Sequence, residues 1–168
     1  MSYELPYFGQ IDLTNLEDDY RVVSEISKND IRLDLNFKKK IIAPLKADSI
    51  KSFLQNIAQL DKQNKVIIED DFKKEGEALN YINFYLDELE EEELIRAAGA
   101  GEGETALAVR LLNKLKLIRV GCYPDNKYGT AYFGVFDYSI DIDGEPCEQL
   151  LVIKTDEHGN LMEVTWES

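Results

Sequence analysis

The chain has 168 residues, of which 44% are hydrophobic, so it is long enough to bury the core of one globular domain. Its 33 acidic and 19 basic side chains give a net charge of -14, and a field of that sign repels nucleic acid and anionic membranes. This composition argues against a disordered chain and against nucleic-acid-binding or membrane-binding classes. Two explanations of the charge remain: it keeps the protein soluble, or it attracts a basic partner.

The N-terminal third is predicted to consist of strands. Between Ile31 and Phe37, apolar and polar residues alternate with the period of two that buries one face of a strand. A second alternating segment runs from Tyr20 to Ile26, and the turn-forming residues 27–30 separate the two. This pattern predicts a hairpin, preceded by a short strand near Phe8–Asp12.

The middle of the chain is predicted to be helical, as an insert over about residues 46–113. Asp48 is expected to cap a first helix, whose apolar residues recur at helical spacing up to Leu60. Further helices are expected over Val66–Lys74 and Leu79–Leu89, and a short one over Thr105–Leu112. The glycine-rich residues 99–103 are predicted to interrupt the helices as a flexible breaker.

The last third is again predicted to be strands. Leu115–Tyr123 is mostly apolar, and a long strand follows in which Tyr132, Phe136, Tyr138, Ile140 and Ile142 share one face. Leu150–Thr155 and Leu161–Trp166 flank a hairpin turn, with Met162, Val164 and Trp166 expected to face inward.

The order strands, helices, strands predicts one α+β domain over residues 1–168. An antiparallel sheet is expected from the N- and C-terminal strands, with the central helices packed on one face. Neither a signal peptide nor an apolar stretch of about 18 residues is visible, so a cytoplasmic location with reduced thiols is expected.

Three motifs are candidates for ligand or catalytic sites, and each is better explained as local structure. Ser139–Gly144 loosely follows a calcium loop, but its twelfth position is Leu150, which cannot ligate, and a strand ending in a turn fits better. The loop at 99–104 is glycine-rich but contains two glutamates and no lysine, which is unlike a phosphate loop. The only histidine, His158, lies in a predicted turn, and two cysteines with one histidine do not make a zinc site. We therefore predict no catalytic, cofactor or metal residue.

Acidic runs and tyrosines are the remaining candidates for binding. A partner-binding surface is predicted at Glu88, Glu90, Glu91, Glu92, Glu93, Glu102 and Glu104, against the alternative of a solvated face. Asp137 and Asp141 are expected on the wet side of a strand, against the alternative of a patch that faces a partner. Tyr123, Tyr128, Tyr132 and Tyr138 cluster late in the chain and suit either an interface or a strand.

Segments spread over nearly the whole chain resemble a bacterial family known as domain of unknown function 2004. They include Tyr7-Phe8-Gly9, residues 33–37, Tyr81-Ile82, residues 119–125, residues 136–140, residues 149–152 and Glu167-Ser168. The resemblance implies no catalytic residue. Some small acidic domains of this kind lie beside bacterial toxin genes as immunity proteins, so the resemblance implies an immunity function as an expectation.

The resulting functional hypothesis is a non-enzymatic binding protein, an inhibitor or immunity protein for a basic, toxin-like partner. An enzyme with a cryptic acid–base site of carboxylates and tyrosine in a cleft is the first alternative. A self-associating structural module is the second. The sequence does not fix the oligomeric state.

Overall fold

The computed structural model of the chain describes residues 1–99 and 104–168. The strands are Ser2–Leu5 (β1), Gly9–Asp12 (β2), Asp19–Ile26 (β3), Asn29–Asn36 (β4), Lys116–Cys122 (β5), Gly134–Ser139 (β6), Asp141–Ile142 (β7), Glu145–Pro146 (β8), Leu150–Thr155 (β9) and Leu161–Glu167 (β10). The helices are Pro44–Gln55 (α1), Ile57–Lys73 (α2), Glu77–Glu88 (α3), Glu91–Ala98 (α4) and Glu104–Leu112 (α5). The α+β class and the strand, helix, strand order are confirmed, with the helical segment at Pro44–Leu112.

A six-stranded sheet with the order β10-β9-β6-β5-β4-β3 is built from strands of both ends of the chain. Its pairs are antiparallel except β4 with β5, which run parallel. The prediction of an antiparallel sheet is therefore wrong at this one pair. Tight turns make antiparallel pairs, but the chain leaves β4 and returns to β5 through the helices, and such a crossover lets two strands run in the same direction.

The helices pack on one face of the six-stranded sheet. Phe53 of α1 contacts Phe136 of β6 with ring centroids 5.7 Å apart, and the phenol of Tyr138 donates to Asp61 of α2 at 2.8 Å. At the β10 edge, Trp166 packs against Phe84 of α3 at 5.3 Å. We call this side of the sheet the covered face, and the opposite side the open face.

Helix boundaries differ from the prediction at two places. Asp48 does not cap α1, which begins at Pro44; it lies inside the helix and accepts a hydrogen bond from the hydroxyl of Tyr3. The predicted helix through Leu60 is divided at Asn56, which ends α1 and precedes α2, and whose side chain donates to the carbonyl of Ser52 at 2.9 Å. An asparagine side chain competes with the backbone for such bonds, which favours helix ends.

The two N-terminal and C-terminal hairpins match the prediction, with local corrections. The strand β1, which pairs with β2, was not predicted. Met162 was expected to face inward, but a register shift between Leu161 and Glu163 leaves it half exposed. Tyr132 precedes β6 and packs against Tyr123 instead of joining the face of Phe136. Of the predicted breaker, Gly99 ends α4 with φ +83°, and residues 100–103 lie outside the described residues.

Candidate functional site

Five of the seven predicted partner-binding glutamates lie at the joint between α3 and α4. Residues 87–93, which we call the acidic junction, contain six carboxylates and one apolar residue, Leu89, which packs against the core. Glu88 ends α3, Glu90 precedes α4, and Glu91, Glu92 and Glu93 form the first turn of α4. Among the described residues, no basic side chain forms a salt bridge with any of the six.

Local physics explains why an acidic run starts a helix here. The carboxylate of Glu93 accepts a hydrogen bond from the backbone N–H of Glu90 at 3.1 Å, as part of a capping box. Negative side chains in a first turn also interact favourably with the positive end of the helix dipole. The helix α4, which this run begins, is not among the predicted helices. Glu90 and Glu93 thus have a structural role in the capping box, whereas Glu88, Glu91 and Glu92 are exposed and take no part in it.

The other two predicted glutamates are not placed in the acidic junction. Glu102 lies outside the described residues. Glu104 is the first residue of α5, and α5 packs beside α4. The structure therefore brings together five of the seven predicted glutamates, which are Glu88, Glu90, Glu91, Glu92 and Glu93.

A second cluster, which the sequence did not predict, is an arginine network at the centre of the open face. Arg119 of β5 binds Asp34 of β4 with two parallel hydrogen bonds, from Nε at 2.7 Å and Nη2 at 2.8 Å. Its Nη1 donates to Asp137 of β6 at 3.0 Å, and its Nη2 also donates to the hydroxyl of Tyr123 at 2.9 Å. The network joins three neighbouring strands, including the parallel pair.

Both carboxylates of the network are buried, with 5% of Asp34 and 6% of Asp137 exposed. The prediction that Asp137 lies on the wet side of its strand is therefore wrong, because Arg119 and its neighbours cover it. Asp141 lies on β7 and binds Lys116 at 2.6 Å. Asp137 does lie on the face opposite the helices, where the guanidinium of Arg119 donates to it.

Burial and charge act in opposite directions on the groups of this network. Burial disfavours the charged guanidinium of Arg119, but hydrogen bonds and charge from Asp34 and Asp137 outweigh it and raise its pKa. Burial raises the pKa of Asp137, and Arg119 opposes that change without cancelling it. The pKa of Tyr123 is also raised by burial. One cation therefore serves two buried carboxylates.

Gly121 makes room for the network. It lies on the open face between Asp34 and Val135, and a Cβ added there would be 2.6 Å from Nη2 of Arg119 and 3.1 Å from Oδ2 of Asp34. A glycine inside a strand often marks a close approach of this kind. Gly121 is the signal in the sequence that could have located the network.

The network is suited to holding strands together more than to chemistry. Four of the five N–H groups of a guanidinium are used by Asp34, Asp137 and Tyr123. The bidentate geometry fixes the position of Arg119 relative to β4. The network therefore stabilises the register of β4, β5 and β6 relative to one another.

The tyrosines considered for an interface divide into two groups. Tyr138 is fully buried on the covered face. Tyr123, Tyr128 and Tyr132 form edge-to-face contacts beside the arginine network, with centroids 6.4 and 5.7 Å from Tyr123. Tyr128 is 76% exposed and has φ +62°, a conformation that bulky residues rarely adopt.

The alternative of a cryptic acid–base enzyme requires a perturbed carboxylate in a cleft. An open groove of about 750 Å³ lies beside the β3–β4 hairpin, lined by residues that include Glu25, Asp30, Arg32 and Lys116. Asp137, whose pKa is raised, is not part of its lining. The groove and the perturbed carboxylate are thus separate features.

Of the three motifs considered as ligand sites, Ser139–Gly144 and His158 lie at a strand end and in turns, and residues 100–103 of the glycine-rich loop lie outside the described residues. Ser139 ends β6, and Asp143 and Gly144 form a turn with positive φ between β7 and β8. His158 lies in the β9–β10 turn with an exposed ring, and its backbone N–H donates to Asp156 at 2.8 Å. Within residues 1–99 and 104–168, no group of three or more His, Cys, Asp and Glu side chains is arranged to hold a metal ion.

Comparisons with known proteins give no further constraint. In the described part of the chain, no helix is both long and apolar enough to cross a bilayer. The chain matches no protein-family model, no curated protein and no solved structure. The resemblance to the domain of unknown function 2004 family stays a prediction.

Proposed function

We propose that this protein is a non-enzymatic binding protein that captures a basic protein partner through the acidic junction. The specific form that we propose is an inhibitor or immunity protein of a bacterial toxin, acting in the cytoplasm by covering the partner's working surface. The observation that carries the proposal is the placement of six carboxylates within seven residues, with no salt bridge to any basic side chain among the described residues.

The acidic junction has the properties of a steering surface. Like charges held close together cost free energy in the isolated protein, and a basic partner removes that cost on binding. The net charge of -14 extends the same field over the whole molecule. Such a field accelerates encounter with a cation-rich surface and disfavours nucleic acid.

An apolar anchor lies next to the exposed carboxylates. Ile95 of α4 is 49% exposed, and it follows Glu91 by four residues and Glu92 by three, so the three lie on one face of the helix. Interfaces usually combine a desolvated apolar centre with a charged rim. We therefore assign Glu88, Glu91 and Glu92 to steering and Ile95 to anchoring.

The test is co-purification from the native cell at low salt, followed by kinetics with the captured partner. A stoichiometric basic protein that elutes at high salt is expected. The triple variant E88K/E91K/E92K is expected to slow association by roughly ten-fold or more at low salt. It leaves the capping-box residues Glu90 and Glu93 in place. The variant E88Q/E91Q/E92Q, which adds no positive charge to the first turn of α4, is expected to slow association in the same direction by a smaller factor.

A variant of equal charge change supplies the control. E4K/E17K/E69K changes three exposed glutamates on β1, the loop before β3 and α2, and it is expected to slow association much less. An association rate that does not change between low and high salt would contradict the proposal. Equal effects of the two triple lysine variants would contradict the assignment to the acidic junction.

A further inference from the structure

The edge strand β3 has an unused hydrogen-bonding edge. It forms one end of the six-stranded sheet and pairs with β4 in continuous register over eight residues. Among the described residues, no strand pairs with its outer side. The opposite edge strand, β10, carries a register shift and packs against α3. Bulges of this kind protect sheet edges from pairing with other chains, and β3 has none.

The β3–β4 turn determines which backbone groups face outward. Ser27 and Lys28 have φ of +52° and +69°, as in a two-residue type I′ turn, so Ile26 and Asn29 form a hydrogen-bonded pair. Along an antiparallel pair, hydrogen-bonded and non-hydrogen-bonded residues alternate. Tyr20, Val22 and Ser24 therefore bond to β4, and the N–H and C=O groups of Asp19, Arg21, Val23 and Glu25 point outward.

The side chains of these outward-bonding residues form a charge pattern that is complementary to itself. Arg21, Val23 and Glu25 lie on the open face, and Val23 is 64% exposed. In an antiparallel pair of two copies centred on Val23, Arg21 of each copy faces Glu25 of the other, and the two Val23 side chains meet. We propose that β3 of one copy pairs in this register with β3 of a second copy and continues the sheet across the dimer.

Registers shifted toward the start of β3 are less favourable. Centring the pair on Val22 places Asp19 opposite Glu25, and centring it on Arg21 places the two arginines opposite each other. Like charges directly opposite destabilise a strand pair, and opposite charges stabilise it. Among the described residues, Arg21 forms a salt bridge with Asp19 alone, at 3.5 Å and with both side chains exposed, so this weak pair can be exchanged for one with a partner chain.

A charge swap tests this register by sedimentation equilibrium, in enough salt to screen the net charge of -14. The wild type is expected to dimerise. R21E and E25R each place like charges opposite each other twice, and each is expected to weaken the dimer by roughly ten-fold. The double variant R21E/E25R restores both opposite pairs and is expected to recover the wild-type affinity.

A cysteine crosslink tests the same pairing without changing charge. V23C is expected to form a disulfide dimer under mild oxidation, because the directly opposite Cα atoms are about 5.5 Å apart in a hydrogen-bonded pair. E25C is the control, since its own copy lies about 13 Å away along the partner strand. The wild type, with Cys122 buried and Cys147 half-buried, is expected to remain uncrosslinked.

The outcomes separate this inference from the proposed function. A monomer at every concentration, or a dimer that R21E and E25R leave unchanged, would overturn it. Equal crosslinking of V23C and E25C would also overturn it. The E88K/E91K/E92K variant is expected to leave the dimer intact, because the acidic junction is not part of the β3 edge.

Discussion

The two faces of the six-stranded sheet are buried by different means. On the covered face, a layer of helices excludes water from apolar side chains such as Leu33 and Phe136. On the open face, Asp34 and Asp137 are almost as deeply buried, but side chains of the sheet itself cover them. The covered face thus depends on shape and the open face on charge balance, so the two should respond to different perturbations.

The largest expected effect comes from removing the cation of the open face. Arg119→Ala leaves the buried carboxylates of Asp34 and Asp137 without their partner, and breaking a buried ion pair in this way costs about 3–5 kcal/mol. Urea unfolding of the variant measures the loss in free energy of unfolding. The control is Arg32→Ala. Arg32 lies on the same face of the sheet but is exposed and forms no salt bridge among the described residues. A loss below about 1 kcal/mol for Arg119→Ala would show that the open face does not depend on charge balance.

A smaller effect is expected from filling the space above Gly121. The Cβ of Gly121→Ala would lie 2.6 Å from Nη2 of Arg119, so the guanidinium has to move. Overpacking of this kind costs about 1–3 kcal/mol. In the Arg119→Ala background the same substitution is expected to cost much less, because the atom that it meets is gone. A double-mutant cycle by urea unfolding measures the difference. Additive effects would contradict the close approach of Arg119 to Gly121.

The smallest effect is a dependence on pH that originates on the open face. Because burial raises the pKa of Asp137 in the folded protein, protonation of Asp137 favours the folded state. The wild type should therefore gain stability relative to Asp137→Asn as the pH falls from neutral toward the ordinary value of 3.8.

A group with the opposite shift gives the comparison for that titration. In the β9–β10 turn, burial opposes ionisation of Asp156, but hydrogen bonds from Asn160 and His158 outweigh it and lower its pKa. Because the pKa of Asp156 is lowered, its contribution to the free energy of unfolding is present above pH 3.8 and is lost as the pH falls further. The wild type should therefore lose its advantage in stability over Asp156→Asn. Chemical denaturation across this pH range measures both differences. Differences of the same sign for the two variants would contradict the assignment.

Alternation and turn residues predicted most of the covered face, because each strand records in its own sequence which residues face inward. The arginine network could not be predicted in that way. Asp34 and Arg119 are 85 residues apart, and a charged residue at alternate positions of a strand looks the same whether water or another charge satisfies it. Gly121, in the middle of an apolar strand, was the local signal.

The acidic junction was predicted as residues but not as structure. A run of glutamates in the sequence can follow one helix or begin another. The helix dipole favours the start, and the capping box between Glu90 and Glu93 forms there. The two glutamates beyond Gly99 could not be assigned to the same surface. The five glutamates between residues 88 and 93 are close together in the structure because they are neighbours in the sequence.

The parallel pairing of β4 with β5 also determines when the sheet can form. The hairpin of β3 and β4 is local in sequence. The inner edge of β4 can pair with β5 only after the long chain segment between them has closed into a loop. During synthesis, about eighty residues have to leave the ribosome before that edge is paired. Until then, the nascent chain exposes both edges of the hairpin, so the inner edge of β4 is open to pairing with other chains.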